Sequence, residues 1–229
     1  MKTTHLALAA FVALVAFVAC NHTADPTSAP ALSSAAVPQA AALAAAPGAP
    51  AAIGQPAPDF TLADLSGKSV SLRNYRGKVV VLEWFNPGCP FIKAAHTKGS
   101  LKGMAARREA EGIVWLAVNS SAPGKEGGDP AKSVAAKAAF GLDHPILLDP
   151  TGAVGHAYGA TNTPNMFVID ASGTLVYRGA IDNSPDGEAE SPTDGKLVNY
   201  VDAALDAIAA KRDVAVKETK AYGCSVKYQ

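Results

Sequence analysis

One cysteine occupies a position where a protein chain can make a reactive thiol. Cys89 follows the turn Asn86-Pro87-Gly88, and Pro90 comes directly after it. Because proline is favoured at the first position of a helix, Cys89 is predicted to lie at a helix N-terminus. Free N–H groups and the positive end of the helix dipole favour a thiolate there. The alternative is a buried structural cysteine, which the neighbouring prolines and glycine argue against.

The segment before this turn is predicted to position the thiol. The run from Val79 to Trp84 is apolar and β-branched apart from Glu83, which is typical of a strand buried on both faces. A buried carboxylate tends to stay protonated. Glu83 is therefore a candidate for proton exchange with Cys89 through water. The alternative is a glutamate that faces a polar loop.

The chain from residue 53 onward alternates strands and helices. We predict a hairpin over 60–72 and strands at 113–119, 145–148, 166–170 and 175–179. One helix is predicted from Cys89 to about Glu111, distorted at Gly99 and Gly103, and another from Pro130 to Gly141, capped by Asp129. A last helix has Leu197, Val201 and Ile208 on one face. This order predicts an α/β fold in which helices flank a mixed central sheet, with an N-terminal hairpin extension.

These motifs resemble those of the thioredoxin-like superfamily, in particular its redoxin (peroxiredoxin-like) branch. Glu83 stands six residues before Cys89, which is the spacing of the buried carboxylate in thioredoxins. Thr163-Pro164, before a predicted strand, is similar to their cis-proline motif. The resemblance covers 53–212 and implies a thioredoxin-like domain, a cis Pro164 that faces Cys89, and thiol-dependent oxidoreductase activity on disulfides or peroxides. It implies no cofactor.

Two departures from the family patterns affect the predicted chemistry. Ile92 replaces the second cysteine of Cys-x-x-Cys, and the Thr that peroxiredoxins carry three residues before their cysteine is Asn86 here. Asn86, or the backbone N–H groups around Cys89, would then hold a peroxide oxygen. An oxidised Cys89 needs another resolving thiol, and we predict Cys224, in the tail 213–229, for that role. The alternatives are that Cys224 anchors the tail or pairs between chains.

The N-terminal segment predicts export. Met1–Ala19 has a lysine near its start and a short apolar core, which is too short to span a bilayer and typical of a signal peptide. Cys20 follows small residues and resembles the acylated cysteine of bacterial lipoproteins; ordinary cleavage nearby is the alternative. Asn21 resembles the pattern of lipoproteins that reach the outer membrane. Residues 20–52 form an Ala/Pro-rich linker, so the domain is predicted to be lipid-anchored on the periplasmic side of a bacterial membrane.

Charge and cysteine count limit the possible partners. The chain has 20 Lys and Arg against 20 Asp and Glu, which gives no electrostatic reason to expect nucleic acid or an anionic membrane as partner. Three cysteines without zinc-site spacing predict no metal. The expected partners are a thiol/disulfide protein or a small peroxide, an external reductant that the sequence does not identify, and a membrane only through the lipid.

A second hypothesis is a non-catalytic binding module with the same fold. Such a module would hold a partner or a soft metal, and Cys89 with His96 would be its ligands. His96 lies two helical turns after Cys89, a rise of about 10 Å. At that distance direct contact with the thiol is not expected, and we predict that His96 is a surface histidine.

Overall fold

The structure is a computed structural model, and it describes residues 50–229. The predicted signal peptide, the lipidation site Cys20 and nearly all of the linker lie outside the described residues. Within residues 50–229, no helix has the length and apolar composition that crossing a bilayer requires.

Strands and helices alternate in the predicted order. The strands are β1 (Thr61–Asp64), β2 (Ser69–Ser71), β3 (Val80–Trp84), β4 (Val114–Asn119), β5 (Ile146–Leu148), β6 (Asn162–Thr163), β7 (Met166–Ile169), β8 (Leu175–Gly179) and β9 (Cys224–Ser225). The helices are α1 (Pro90–Thr97), α2 (Met104–Ala110), α3 (Pro130–Phe140), α4 (Ala153–Tyr158) and α5 (Tyr200–Ala209).

Seven strands form one mixed sheet in the order β2-β1-β5-β4-β3-β7-β8, and β6 pairs separately with β9. The central strand β3 runs parallel to β4 and antiparallel to β7, so Glu83 lies opposite Ala117 on one side and Met166 on the other. The hairpin β1–β2 extends the sheet by pairing with β5. The predicted α/β class and the N-terminal hairpin are confirmed.

Side chains alternate along the central strand, and each set enters a different core. Leu82 and Trp84 pack on one face against α4 and the segment that precedes β1. Val81 packs on the other face against α1, α2 and α5. Phe85 continues that second face into a third cluster, which contains Cys89 and Ile92 beside α3. The strand therefore ends in a packed environment at the thiol.

The long helix predicted after Cys89 is two helices in the structure. Gly99 lies between them, and no larger residue fits there, because a Cβ atom would lie 2.0 Å from the Gly187 carbonyl oxygen. The second helix begins after Gly103, which adopts a left-handed conformation with φ of 66°. The last helix also differs from the prediction: it begins at Tyr200, and Leu197 is exposed outside it.

Helix α3 matches its predicted cap. Asp129 is the N-cap residue, and its side chain accepts a hydrogen bond from the Ala131 N–H. Pro130 takes the first helical position, and Gly141 ends the helix in a left-handed conformation. The loop before this helix is thereby fixed next to the turn that carries Cys89.

Candidate active site

Cys89 is the N-cap residue of α1, and Pro90 occupies the first turn as predicted. The thiol is 1% exposed and donates a hydrogen bond of 3.0 Å to the carbonyl oxygen of Thr163. Its own N–H donates to the Asn86 carbonyl at 3.1 Å. The Thr163–Pro164 peptide bond is cis, as the resemblance implied. The thiol therefore faces the cis-proline loop directly.

Asn86 is fully buried and holds the turn before Cys89 in shape. Its side-chain oxygen accepts from the Gly88 N–H at 2.8 Å, and its amide donates to the Glu126 carbonyl at 3.3 Å. Gly127 makes room for this amide, since a Cβ atom there would lie 2.3 Å from the Asn86 side-chain oxygen. The Asn86 side chain and the N–H groups of Gly88 and Cys89 are thus engaged within the fold, unlike the free donors that the peroxide interpretation requires.

Cys224 lies next to Cys89 although the two are far apart in sequence. Strand β9 pairs antiparallel with β6, and Cys224 stands opposite Thr163, whose carbonyl binds the Cys89 thiol. Both cysteines are reduced, Cys89 buried and Cys224 half-buried, and they pack in the same apolar cluster. Both therefore lie against Thr163, Cys89 through its thiol and Cys224 through strand pairing. The structure therefore brings the two predicted thiols together.

This proximity couples the protonation of the two thiols. Burial raises the pKa of the Cys224 thiol to about 12, together with the hydrogen bond to Cys89, the negative charge of a Cys89 thiolate and that of Glu126. Two thiolates in contact repel each other, so ionisation of one keeps the other protonated.

Glu83 has a different environment from the one predicted. It is fully buried, and one carboxylate oxygen lies 2.7 Å from the His96 Nε2 while the other accepts from the Trp115 indole N–H at 3.0 Å. Burial raises the pKa of the carboxyl, but the His96 charge and these hydrogen bonds outweigh it, so the pKa is lowered. The expectation of a protonated carboxyl is corrected to an ionised one, and its hydrogen bonds go to His96 and Trp115 rather than to Cys89.

His96 is not a surface residue, so that prediction is wrong. It is 5% exposed, and its ring stacks on Phe140 with 5.5 Å between centroids and 8° between planes. Because its Nε2 is engaged by Glu83, His96 does not form a ligand pair with Cys89. In residues 50–229, no group of three or more His, Cys, Asp or Glu side chains is placed to hold a metal ion.

Two further residues complete the surroundings of the sulfurs. Ile92, which replaces the second family cysteine, is fully buried in the same cluster as Cys89. The exposed Glu126 lies beside the reactive turn, since a Cβ atom on Gly88 would be 3.0 Å from its Cγ. Sequence analysis missed Glu126, because nothing in a Gly/Pro-rich loop indicates which of its charges will face a distant turn.

Comparisons with known proteins agree with this geometry. The redoxin family model matches residues 52–197. Thiol-disulfide oxidoreductase ResA of Geobacillus thermodenitrificans is 34% identical over 125 residues, covering 54% of this chain and 67% of that protein. A protein of Mycobacterium tuberculosis named as a candidate peroxiredoxin is 33% identical over 138 residues, covering 54% of this chain and 81% of that protein.

Two solved structures share the fold over most of their length. An uncharacterized conserved protein from Geobacillus kaustophilus aligns with a TM-score of 0.68 and 29% identity, covering 78% of this chain and 93% of that one. A hypothetical protein from Sinorhizobium meliloti aligns with a TM-score of 0.66 and 28% identity, covering 78% of this chain and 95% of that one. With the family match, these similarities confirm the predicted thioredoxin-like fold.

Proposed function

The chain belongs to the redoxin family, and from that premise we propose that it is a thiol–disulfide oxidoreductase in which Cys89 and Cys224 form the redox couple. The observation that carries the proposal is that Cys89 and Cys224 pack in one cluster and both lie against Thr163, beside the cis-proline loop. The named function of the ResA relative supports the same reaction class. Asn86 and Pro164 position the nucleophile; they do not take part in bond making.

The reaction begins with the Cys89 thiolate. It attacks one sulfur of a partner disulfide, a mixed disulfide forms, and the other partner sulfur leaves as a thiolate. The Cys89 sulfur is now neutral, which removes one of the charges that raise the pKa of Cys224. Cys224 then loses its proton and attacks the Cys89 sulfur. The Cys89–Cys224 disulfide forms, the second partner thiolate leaves, and two electrons have passed to the partner.

The order of these steps follows from the electrostatics. While Cys89 is a thiolate, Cys224 is held protonated and is a poor nucleophile. It becomes reactive only after Cys89 has been consumed. Glu126 is the nearby carboxylate that could receive the Cys224 proton. The reverse sequence would oxidise a partner dithiol, so the direction depends on the reduction potential of the external couple.

Peroxide reduction is the second candidate, and it is favoured by the candidate peroxiredoxin among the relatives. The Cys89 thiolate would attack a peroxide oxygen, the O–O bond would break, the other oxygen would take up a proton and leave as water or an alcohol, and Cys89 would become a sulfenic acid. Cys224 would displace water from that sulfur and form the same disulfide. We rank this reaction second because Asn86 and the N–H groups around Cys89 are already engaged.

The cellular setting is also proposed from the sequence. The signal-like Met1–Ala19 and the cysteine at position 20 support export and lipid anchoring, with 20–52 as linker, 53–212 as the redox domain and 213–229 as the tail. An exported dithiol meets an oxidising compartment in which its disulfide persists. A partner protein with an exposed disulfide or dithiol is the expected substrate.

The test is turnover of a small disulfide and of hydrogen peroxide, each with dithiothreitol as electron donor. Cys89→Ser should abolish consumption of both, by about 100-fold or more. Cys224→Ser should keep a single round of mixed-disulfide formation but slow turnover. Faster peroxide than disulfide consumption would make the second candidate the function. If wild type and Cys89→Ser are equally inactive with both, the proposal fails and the binding module takes its place.

A further inference from the structure

The tail covers Cys89 with a very short strand. Only two residues of β9 pair with β6, so that Cys224 lies opposite Thr163 and Ser225 opposite Asn162. The Asn162 side-chain amide donates to the Gly223 carbonyl at 3.0 Å, and Val226 donates to the Thr161 carbonyl at 3.0 Å. The tail has thus paired with an edge that is otherwise open, in the way an extended peptide adds to a sheet edge.

Gly223 makes this pairing possible. Its φ is +98°, and a Cβ atom there would lie 2.3 Å from the Thr163 carbonyl oxygen and 3.2 Å from the Pro164 Cδ. Any other residue would meet both the cis-proline loop and an unfavourable backbone conformation. The tail therefore runs in direct contact with the loop that binds the Cys89 thiol.

The tail is fastened beyond the strand by its last residues. The Ala122 N–H donates to the Lys227 carbonyl at 2.8 Å. The Tyr228 ring stacks on His156 at 4.1 Å, and its hydroxyl donates to the Ala160 carbonyl at 2.7 Å. Gly155 leaves room for this ring, since a Cβ atom there would lie 2.3 Å from the Tyr228 hydroxyl oxygen. The segment is bound at its end and at its strand, and each contact can be removed separately.

We propose that residues 222–229 of the tail are a displaceable cover that keeps polypeptide disulfides away from Cys89 until this segment leaves the β6 edge. This inference rests on the proposed function, because it concerns access to the same nucleophile. With the tail in place Cys89 is 1% exposed, and Cys224 packs in the same cluster, opposite Thr163, whose carbonyl binds the Cys89 thiol. A polypeptide partner must therefore replace the tail strand, and its reaction rate depends on the fraction of chains with the tail released.

The cover is linked to the redox state of the site. A Cys89–Cys224 disulfide would tie the tail to the domain covalently, and only reduction would allow it to leave. The reduced chain, which carries the reactive thiolate, is thus the form that can open. A partner that reaches Cys89 in that form competes with the tail for the backbone groups of Asn162 and Thr163, so the tail must displace the partner's strand again before Cys224 resolves the mixed disulfide.

The experiment uses the full chain with Cys224→Ser, so that Cys89 reacts alone. The probe is an extended cysteine peptide activated as a mixed disulfide with thionitrobenzoate. The Cys89 thiolate attacks the peptide sulfur, the peptide–thionitrobenzoate bond breaks, and the released thionitrobenzoate is followed by absorbance. Adding Gly223→Ala should accelerate release by about 10-fold or more, because the tail can no longer lie on the loop.

Gly67→Ala is the matched control. Gly67 also has a positive φ, of +84°, but a Cβ atom there would have no neighbour within 4 Å. It should leave the release rate unchanged in the Cys224→Ser chain. Tyr228→Ala, which removes the terminal anchor but leaves the strand intact, should give a smaller acceleration. A peptide of residues 219–229 with Ser at position 224, added in trans to the Gly223→Ala chain, should slow release again.

The proposal is overturned if Gly223→Ala and Tyr228→Ala both release thionitrobenzoate at the rate of the Cys224→Ser chain. The proposed function fails in a different way. In that case a small disulfide or peroxide would oxidise Cys89 no faster than it oxidises free cysteine, in every variant and whatever the state of the tail. An acceleration by Gly223→Ala without such oxidation would support the cover and contradict the enzyme.

Discussion

The two ends of α1 carry two polar arrangements that are built differently. At its N-terminus, Cys89 contacts Thr163 and the half-buried Cys224 on a two-residue strand. Near its C-terminus, the His96 Nε2 lies 2.7 Å from a Glu83 carboxylate oxygen, and both side chains are at most 2% exposed. The first arrangement lies under the tail segment that we propose is displaceable; the second is enclosed by the sheet and α3.

This difference separates a reactive site from a structural one. Exchange of a proton or a disulfide requires groups that can change partner, and the sulfur pair has them. The Glu83–His96 pair has its polar atoms within the core, where an unpaired charge is strongly unfavourable. We therefore infer that the carboxylate at the thioredoxin spacing supports the helix that carries Cys89, and that any proton transfer at the sulfurs uses other groups.

The largest expected effect comes from forming a disulfide between Cys89 and Cys224. A Cys89–Cys224 bond closes a loop of about 130 residues and should stabilise the fold by roughly 5 kcal/mol in the chain-entropy model. Urea unfolding of the oxidised and the reduced protein measures the difference. Cys224→Ser is the control, because its stability should not depend on the redox state. Equal stability of oxidised and reduced wild type would mean that the tail is not tied to the domain.

The next largest effect is expected from removing one member of the Glu83–His96 pair. His96→Leu should destabilise the fold by about 3–5 kcal/mol, because Glu83 is left as a buried charge without its partner. The double variant Glu83→Leu/His96→Leu should recover much of that loss. Unfolding by urea measures stability, and the rate at which Cys89 forms a mixed disulfide measures reactivity in the same samples. A large loss of reactivity in the double variant, at wild-type stability, would show that the pair serves the thiol.

A smaller effect is expected on the pH dependence of stability, through His144, which lies beside Glu83 and His96. His144 is buried, and burial lowers its pKa from 6.5 to about 4. The unfolded chain therefore binds a proton that the folded chain excludes, and stability is lost as pH falls from 6.5 to 4. The loss from this group should reach about 3 kcal/mol. Glu83, whose pKa is lowered from 4.5, adds its loss only below that pH.

The measurement is the free energy of unfolding at several pH values between 7 and 4, for wild type and His144→Leu. The variant should lose less stability on acidification than the wild type. The comparison uses slopes, so a constant change in stability caused by the substitution does not affect it. Parallel curves for the two proteins would contradict the assignment of this pH window to His144.

The sequence predicted the elements but not all of the side-chain partners. Strand β3, the turn before Cys89 and the cap at Asp129 follow from local patterns, because apolar runs, prolines and capping residues act over a few positions. The sequence does not show that the Gly187 backbone packs against Gly99, because the two residues are distant in sequence. The His96–Glu83 pair was missed for a related reason: helix spacing showed that His96 is far from Cys89, but not which strand residue lies beneath it.

Cys224 was predicted as a site residue, but its position in the fold was not. It was predicted from the absence of a second cysteine at Ile92, an argument that identifies the residue but gives no geometry. Its position depends on Gly223 and on the tail's contacts with β6 and α4, which no local pattern predicts. Glu126 was missed altogether, because its approach to Gly88 depends on the shape of a loop.

The most direct test of the central claim is peptide mapping of the oxidised protein. The full chain is treated with hydrogen peroxide or a small disulfide, thiols are blocked, and the monomer band is digested without reductant and analysed by mass spectrometry. The account predicts a crosslinked peptide that joins Cys89 to Cys224, absent from Cys224→Ser. If Cys89 is found as sulfinic acid while Cys224 is still a free thiol, the two cysteines are not a redox couple and the account is contradicted.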